Sequence, residues 1–162
     1  MSSSPLAGLQ VATVGSTCAV ELNENVWAFV FTRSDQPTCT ITVESIWRLI
    51  EDGRIAVTSE DHGHPFGLPE PVHAEEQARR GLADKSVLEI AVDRTTGDLT
   101  MVFAGGVRVQ VLTTSGGYES WQAYFRSGDE DIILVDGGGG ALSWVSSPAG
   151  SKPQVLHMRP LA

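Results

Sequence analysis

Ser59-Glu60-Asp61-His62-Gly63-His64 is the densest run of chemically capable side chains in this sequence. In an extended segment His62 and His64 point to one side and Asp61 to the other. Two imidazoles on one side could begin a zinc-type site, but such a site takes three or four protein ligands, and only His73 lies near enough in the sequence to suggest a third. A small metal-dependent hydrolase using Asp61, His62 and His64 is one reading. Another is a loop that touches a partner or ligand through Glu60, Asp61, His62 and His64. The plainest is an acidic turn after a strand, in which Asp61 or Glu60 accepts hydrogen bonds from nearby backbone amides. The spacing completes no ligand set, so no metal or cofactor is assigned, and His62, His64 and His73 are the candidate ligands. Pro65, Pro69 and Pro71 restrict the chain that follows, which favours a contact loop over a floppy linker.

Three further groups invite chemistry. Gly137-Gly138-Gly139-Gly140 could cradle an anion with bare amides. No Lys-Ser/Thr follows it, and Asp129, Glu130, Asp131 and Asp136 precede it, so a wide turn or bulge between strands is expected instead. Tyr118, Glu119 and Trp121 could form a binding platform, since Tyr and Trp combine apolar area with a polar handle. They could equally form a corner, with Trp121 plugging the core and Glu119 satisfying amides of the Gly116-Gly117 turn. Neither Ser45 nor Ser120 lies in a Gly-x-Ser-x-Gly elbow, so a nucleophilic serine is not expected. Cys18 and Cys39 are the two cysteines; they fit neither a disulfide framework nor a zinc spacing and read as reduced thiols in strands.

The elements that must carry these residues read as short strands. Leu9–Val14, Thr17–Leu22, Val26–Phe31, Thr38–Val43, Ile46–Ile50 and Arg54–Thr58 fill the first part, with Asp52-Gly53 as a hairpin signal. Val72–Ala83 changes period: Ala74, Ala78 and Leu82 share a face, and early glutamates with late arginines suit a helix dipole. Val87–Val92, Leu99–Phe103, Val107–Val111, a segment through Phe125, Ile132–Val135 and Ala141–Val145 complete the list. The order repeats: a strand ending in Val-Phe (Val30-Phe31, Val102-Phe103), an alternating strand, then Glu-Ser beside Trp (Glu44, Ser45, Trp47; Glu119, Ser120, Trp121). The expected architecture is a single α+β, mainly β domain over 1–162. It is a duplicated antiparallel meander, sub-repeats 9–60 and 84–146, with one helix between the halves and disordered ends at 1–5 and 150–162.

The composition narrows the function. Twenty acidic residues against 11 basic ones give a formal charge of −9, which repels nucleic acid at long range. No apolar run reaches the roughly 20 residues that span a bilayer, and the N-terminus lacks a basic-then-apolar leader, so a cytoplasmic location is expected. An unprotected sheet edge would favour a homodimer.

Gly105-Gly106 before an alternating strand, then Tyr118-Glu119-Ser120-Trp121, then Gly137–Gly140 before a closing strand resembles a family of small bacterial proteins of uncharacterised function. The resemblance covers Leu99 through Trp144. It implies an immunity or accessory role in bacterial toxin and conflict systems, and it carries no catalytic residues. Together these features lead to the expectation of a non-enzymatic binding protein, acidic and of the immunity-inhibitor type. Its contacts would come from Glu60, Asp61, His62, His64, Tyr118, Glu119 and Trp121. A metal-dependent hydrolase and a small-molecule sensor binding between the halves are the alternatives.

Overall fold

The computed structural model describes residues 4–151 and 158–162. The chain opens with a helix, α1 (Pro5–Thr13), followed by β1 (Thr17–Asn23), β2 (Val26–Arg33), β3 (Gln36–Val43), β4 (Ile46–Glu51) and β5 (Arg54–Thr58). A 3-10 turn at Ser59–Asp61 and a long loop lead to α2 (Ala74–Leu82). Then come β6 (Val87–Val92), β7 (Leu99–Phe103), β8 (Arg108–Leu112), β9 (Trp121–Ser127), β10 (Glu130–Asp136), β11 (Leu142–Pro148) and the short β12 (Arg159–Pro160). The fold is α+β and mainly β, as expected.

Two antiparallel sheets face each other across one core. The first has the order β1-β2-β3-β9-β10-β11-β12, the second β5-β4-β8-β7-β6. Neither half of the chain owns a sheet. Each contributes a three-stranded meander to one sheet and then crosses over to extend the other. Exchanging α1 and β1–β5 with α2 and β6–β10 turns the first order into the second, so the duplication is a pseudo-twofold, with β11 and β12 as additions. Val30-Phe31 and Val102-Phe103 fall on the equivalent strands β2 and β7, and both phenylalanines are fully buried. The core joins the sheets directly: Trp47 of the second sheet packs edge-on with Trp27 and Phe29 of the first, at centroid distances of 4.9 and 5.7 Å.

One expected strand is a helix. Leu9–Val14 reads as strand because Val11, Thr13 and Val14 are β-branched, yet it lies mostly inside α1. Pro5 starts the helix from a position where its missing N–H costs nothing. Tertiary packing supplies what propensity lacks: a Cβ on Gly8 would stand 2.9 Å from the Phe125 ring, so glycine lets the helix reach β9. The repeat therefore begins with a helix, and among the described residues there are two α-helices, not one. Both span nine residues and bury their first, fifth and ninth positions: Pro5, Leu9 and Thr13; Ala74, Ala78 and Leu82. Of the ends expected to be disordered, residues 1–3 and 152–157 lie outside the described residues. Pro5 is helical, and Arg159–Pro160 pairs with β11.

Each helix closes the sheet edge of the other half. Gln10 Nε2 of α1 donates to the Ile90 carbonyl of edge strand β6 (3.4 Å), and Arg79 Nε of α2 donates to the Val20 carbonyl of edge strand β1 (2.7 Å). Cys18 and Cys39 are buried on either side of Phe31, each one strand away from it, and burial raises both thiols above their ordinary pKa. They are packing residues.

The equivalent tryptophans differ in one atom's fate. Trp121 Nε1 donates to the Gly97 carbonyl at 2.8 Å, whereas Trp47 Nε1 is buried with no partner among the described residues. The loop over Trp121, between β6 and β7, is long enough to fold a carbonyl back; its counterpart between β1 and β2 is only Glu24-Asn25. Trp121→Phe should therefore cost about 1–2 kcal/mol more than Trp47→Phe, because only the former orphans a buried acceptor. Urea unfolding of the two variants measures that difference.

Candidate partner-binding end

The strand registers bring the crossovers and the longest loops to one end of the molecule. Val43 lies opposite Trp121, Trp121 opposite Asp136, and Ile46 opposite Leu112. Six connections meet there: 24–25, 44–45, 59–73, 93–98, 113–120 and 137–141.

Ser59 to His64 folds as a brace. The Ser59 hydroxyl accepts the Trp47 amide at 3.1 Å, and Asp61 Oδ2 accepts the Thr58 amide at 2.8 Å, closing a capping box around the 3-10 turn. His62 Nδ1 accepts the Ala74 amide at 3.2 Å, capping α2 from outside, while its ring stands edge-on to Trp27 at 5.5 Å. The plain reading of Asp61 thus describes it, and His62 has the same kind of task. His62 and His73 sit with ring centroids 6.3 Å apart, but no group of three or more His, Cys, Asp or Glu gathers to hold a metal among the described residues. As candidate contact residues Asp61 and His62 are half-buried and committed, whereas Glu60 and His64 remain exposed.

Beyond His64 the loop is closed on itself. The Gly63 amide donates to Val72 O (2.8 Å) and the Val72 amide to His64 O (2.9 Å), so the excursion leaves and returns through a two-bond clamp. At its tip the Leu68 amide donates to Pro65 O at 2.7 Å, and both central residues of that turn, Phe66 (φ 43°) and Gly67 (φ 73°), are left-handed. A left-handed phenylalanine costs on the order of 1 kcal/mol. The turn holds Phe66 and Leu68 out in solvent, 65% and 56% exposed. Neither residue is among the contact residues expected from the sequence; the pattern Pro-Phe-Gly-Leu-Pro, apolar residues locked in a turn, is the signal that marks them.

The second candidate segment divides in two. Trp121 is 1% exposed, so it is core and not a contact residue. Tyr118 is 81% exposed, and Glu119 is exposed beside it. The amides of Gly117 and Tyr118 are satisfied by the Ser115 hydroxyl (3.1 and 3.0 Å), which takes the role expected of Glu119. The glycine run forms the expected turn, wedged between neighbouring loops: a Cβ on Gly138 would stand 2.7 Å from the Gly117 nitrogen. Just before it, Asp136 is fully buried; its carboxylate accepts from Thr113 Oγ1 (2.8 Å) and the Gly138 amide (3.2 Å) and lies against Gly97.

The charge at this end is predominantly negative. The exposed carboxylates are Glu24, Glu44, Glu60, Glu70, Asp93 and Glu119. Arg94 is the one Lys or Arg on these six connections, and its guanidinium bonds the carbonyls of Leu161 and Ala162. The larger concavities lie elsewhere, beside the helices. One of about 570 Å³ is lined by Glu51, Arg80, Gly81 and Lys85; its pseudo-twofold counterpart of about 430 Å³ is lined by Ala12, Arg33, Tyr124, Arg126 and Asp131. Both lie between the halves, where a sensor site was expected; in the second, the charges are already committed. Arg33 bonds the Val11 and Val14 carbonyls at the end of α1, and Arg126 Nε bonds Asp131 at 2.9 Å.

No protein-family model matches this chain, and neither a curated protein nor a solved structure shows significant similarity to it.

Two measurements follow. Asp61→Ala and His62→Ala should each lower stability by about 1 kcal/mol through the lost caps, read by urea unfolding. Asp131 is held below the usual carboxylate range by Arg126 and then by the Gly150 amide. Its stabilising effect is therefore present above the unfolded carboxylate pKa and lost as pH falls through the lower folded one. The stability gap between wild type and Asp131→Asn should shrink as pH is lowered from about 5.

Proposed function

We propose that this protein is a non-enzymatic binding protein that engages a protein partner with its loop-bearing end. An acidic inhibitor of the immunity type is the specific form of that reading. The observation that carries it is the clamped loop whose strained turn keeps Phe66 and Leu68 exposed. Strain of this kind persists where the surroundings over-determine it, and it cluster at sites that do work. Two large apolar side chains held in water bring no stability to the free chain and add contact area to a complex.

The partner's chemistry follows from the surroundings. The exposed carboxylates at this end of the molecule repel an acidic surface and steer a basic one. The complementary partner has an apolar pocket for Phe66, rimmed by lysine or arginine, and Tyr118, exposed on another connection at the same end, offers a second contact point. Glu60, His64, Glu70 and Glu119 serve as the rim on this side.

Co-purification from the native host lysate tests the reading. A partner should be retained at low salt and released as ionic strength rises. The double substitution Phe66→Ala/Leu68→Ala should lose it, while thermal unfolding changes by less than about 0.5 kcal/mol because both side chains are exposed. Equal retention by wild type and the double variant, or none by either, defeats the proposal.

A further inference from the structure

The pseudo-twofold makes a missing part visible. β10 and β5 are equivalent strands, each the second strand its half adds to the sheet of the other. Beyond β10 the sheet continues: β11 pairs along it from Glu130↔Pro148 to Asp136↔Leu142. Among the described residues no strand lies beyond β5, which ends its sheet.

The other edges are protected. β1 and β6 are covered by α2 and α1 through the Arg79 and Gln10 side chains, and β11 is partly paired by β12. Arg54, Ile55 and Ala56 of β5 are all exposed, and beyond the β4 ladder no hydrogen bond among the described residues reaches Arg54–Val57. A row of unpaired amides and carbonyls is a template for another strand. β5 has no proline and no lysine; a bulge at Ala56, between the pairs Leu49↔Val57 and Ile50↔Ile55, and the exposed Arg54 are its only guards among the described residues. Ile55 is 55% exposed on it, beside the buried Ile50.

We propose that a second copy of this chain occupies this edge, β5 pairing antiparallel with β5 of its partner across a true twofold. Three observations select a copy of the chain over a foreign strand. The pairing repeats an arrangement the fold already contains, antiparallel addition outside the equivalent strand β10. Antiparallel self-pairing in the register centred on Ile55 places Ile55 opposite Ile55, an apolar cross-strand pair between exposed side chains. Charge also permits it here. The chain carries −9 overall, but β5 and its neighbours bring Arg48, Arg54 and Arg108 together with Glu51 and Asp52, so this flank lacks the predominantly negative field of the loop end. One short strand pair buries little area, which makes the dimer weak and concentration-dependent. The loops at the opposite tips remain free, so this inference stands apart from the partner-binding reading.

Sedimentation velocity over a dilution series up to millimolar protein tests it. Wild type should pass from monomer to dimer, with β5 amides gaining hydrogen-exchange protection as the dimer forms. Ile55→Lys sets two ammonium groups opposite each other and should raise the dimer dissociation constant at least about tenfold. Ile55→Glu should do the same, and mixing the two variants should restore the dimer as a heterodimer. Circular dichroism of each variant establishes that it is folded. A wild-type monomer throughout the series overturns the proposal. So does a dimer that Ile55→Lys leaves intact, or a Lys/Glu mixture that stays monomeric.

Discussion

The carbonyl of Ser120 accepts from the Glu44 amide at 3.0 Å, the Ser45 amide at 3.4 Å and the Ser45 hydroxyl at 3.3 Å. These bonds tie together the two points where the chain leaves one sheet for the other. Because both crossovers pass through this spot, β3 can pair with β9 in one sheet while β4 pairs with β8 in the other. Everything else inherits that exchange. A half taken alone would have a meander with no central neighbour and a hairpin with no sheet to join. Its helix would lack the edge it seals, since Gln10 and Arg79 each bond a strand of the opposite half. The pairing at the start of β1 and β6 has the same character, with Gly15 donating to Val87 O and Val87 to Ser16 O, both at 2.8 Å.

Much of this frame is legible in the sequence. Alternation places β3, β8 and most other strands, because a strand with one face on a core must alternate. The echo of Glu-Ser beside Trp marks the crossovers, and Trp47 and Trp121 are both buried behind them. What alternation cannot carry is which strands pair across the halves, since a local period holds no information about distant partners. α1 is hidden for a related reason. Its Gly8, Val11 and Thr13 are poor helix residues, and the helix is held by β3, β6 and β9, which lie far along the chain. Only extending the repeat upstream, to match Pro5, Leu9 and Thr13 with Ala74, Ala78 and Leu82, would have exposed it.

The candidate site was legible in location more than in chemistry. The acidic His-bearing loop is where the halves diverge, but residue type misassigned its members. Asp61 and His62 have the donor-acceptor capacity expected of a functional group, and local amides of Thr58 and Ala74 use that capacity first. Trp121 has the size of a binding residue, and the core takes it. Phe66 and Leu68 look like core residues by type, and the clamp formed by Gly63, His64 and Val72 keeps them out of it. In each case the deciding fact is a contact with backbone or core that residue type alone does not reveal.

Loop length explains why the two halves end differently. Over Trp121 the connection from Asp93 to Asp98 folds inward, Gly97 bonding the indole and packing on Asp136, while the glycine run closes from the other side. That corner is filled by backbone, and only glycine allows loops to approach so closely; Gly97 has φ 84° and no room for a Cβ beside the Asp136 carboxylate. Over Trp47 the short Glu24-Asn25 turn leaves the indole uncovered, and side chains take the place of backbone: Trp27 lies against Trp47 and His62 against Trp27. A corner closed by side chains on a loop leaves the remainder of that loop free of the core. The excursion from His64 to Pro71 can therefore project a tip without loosening the frame, because its base, through His62 and the Gly63–Val72 clamp, is already part of the frame.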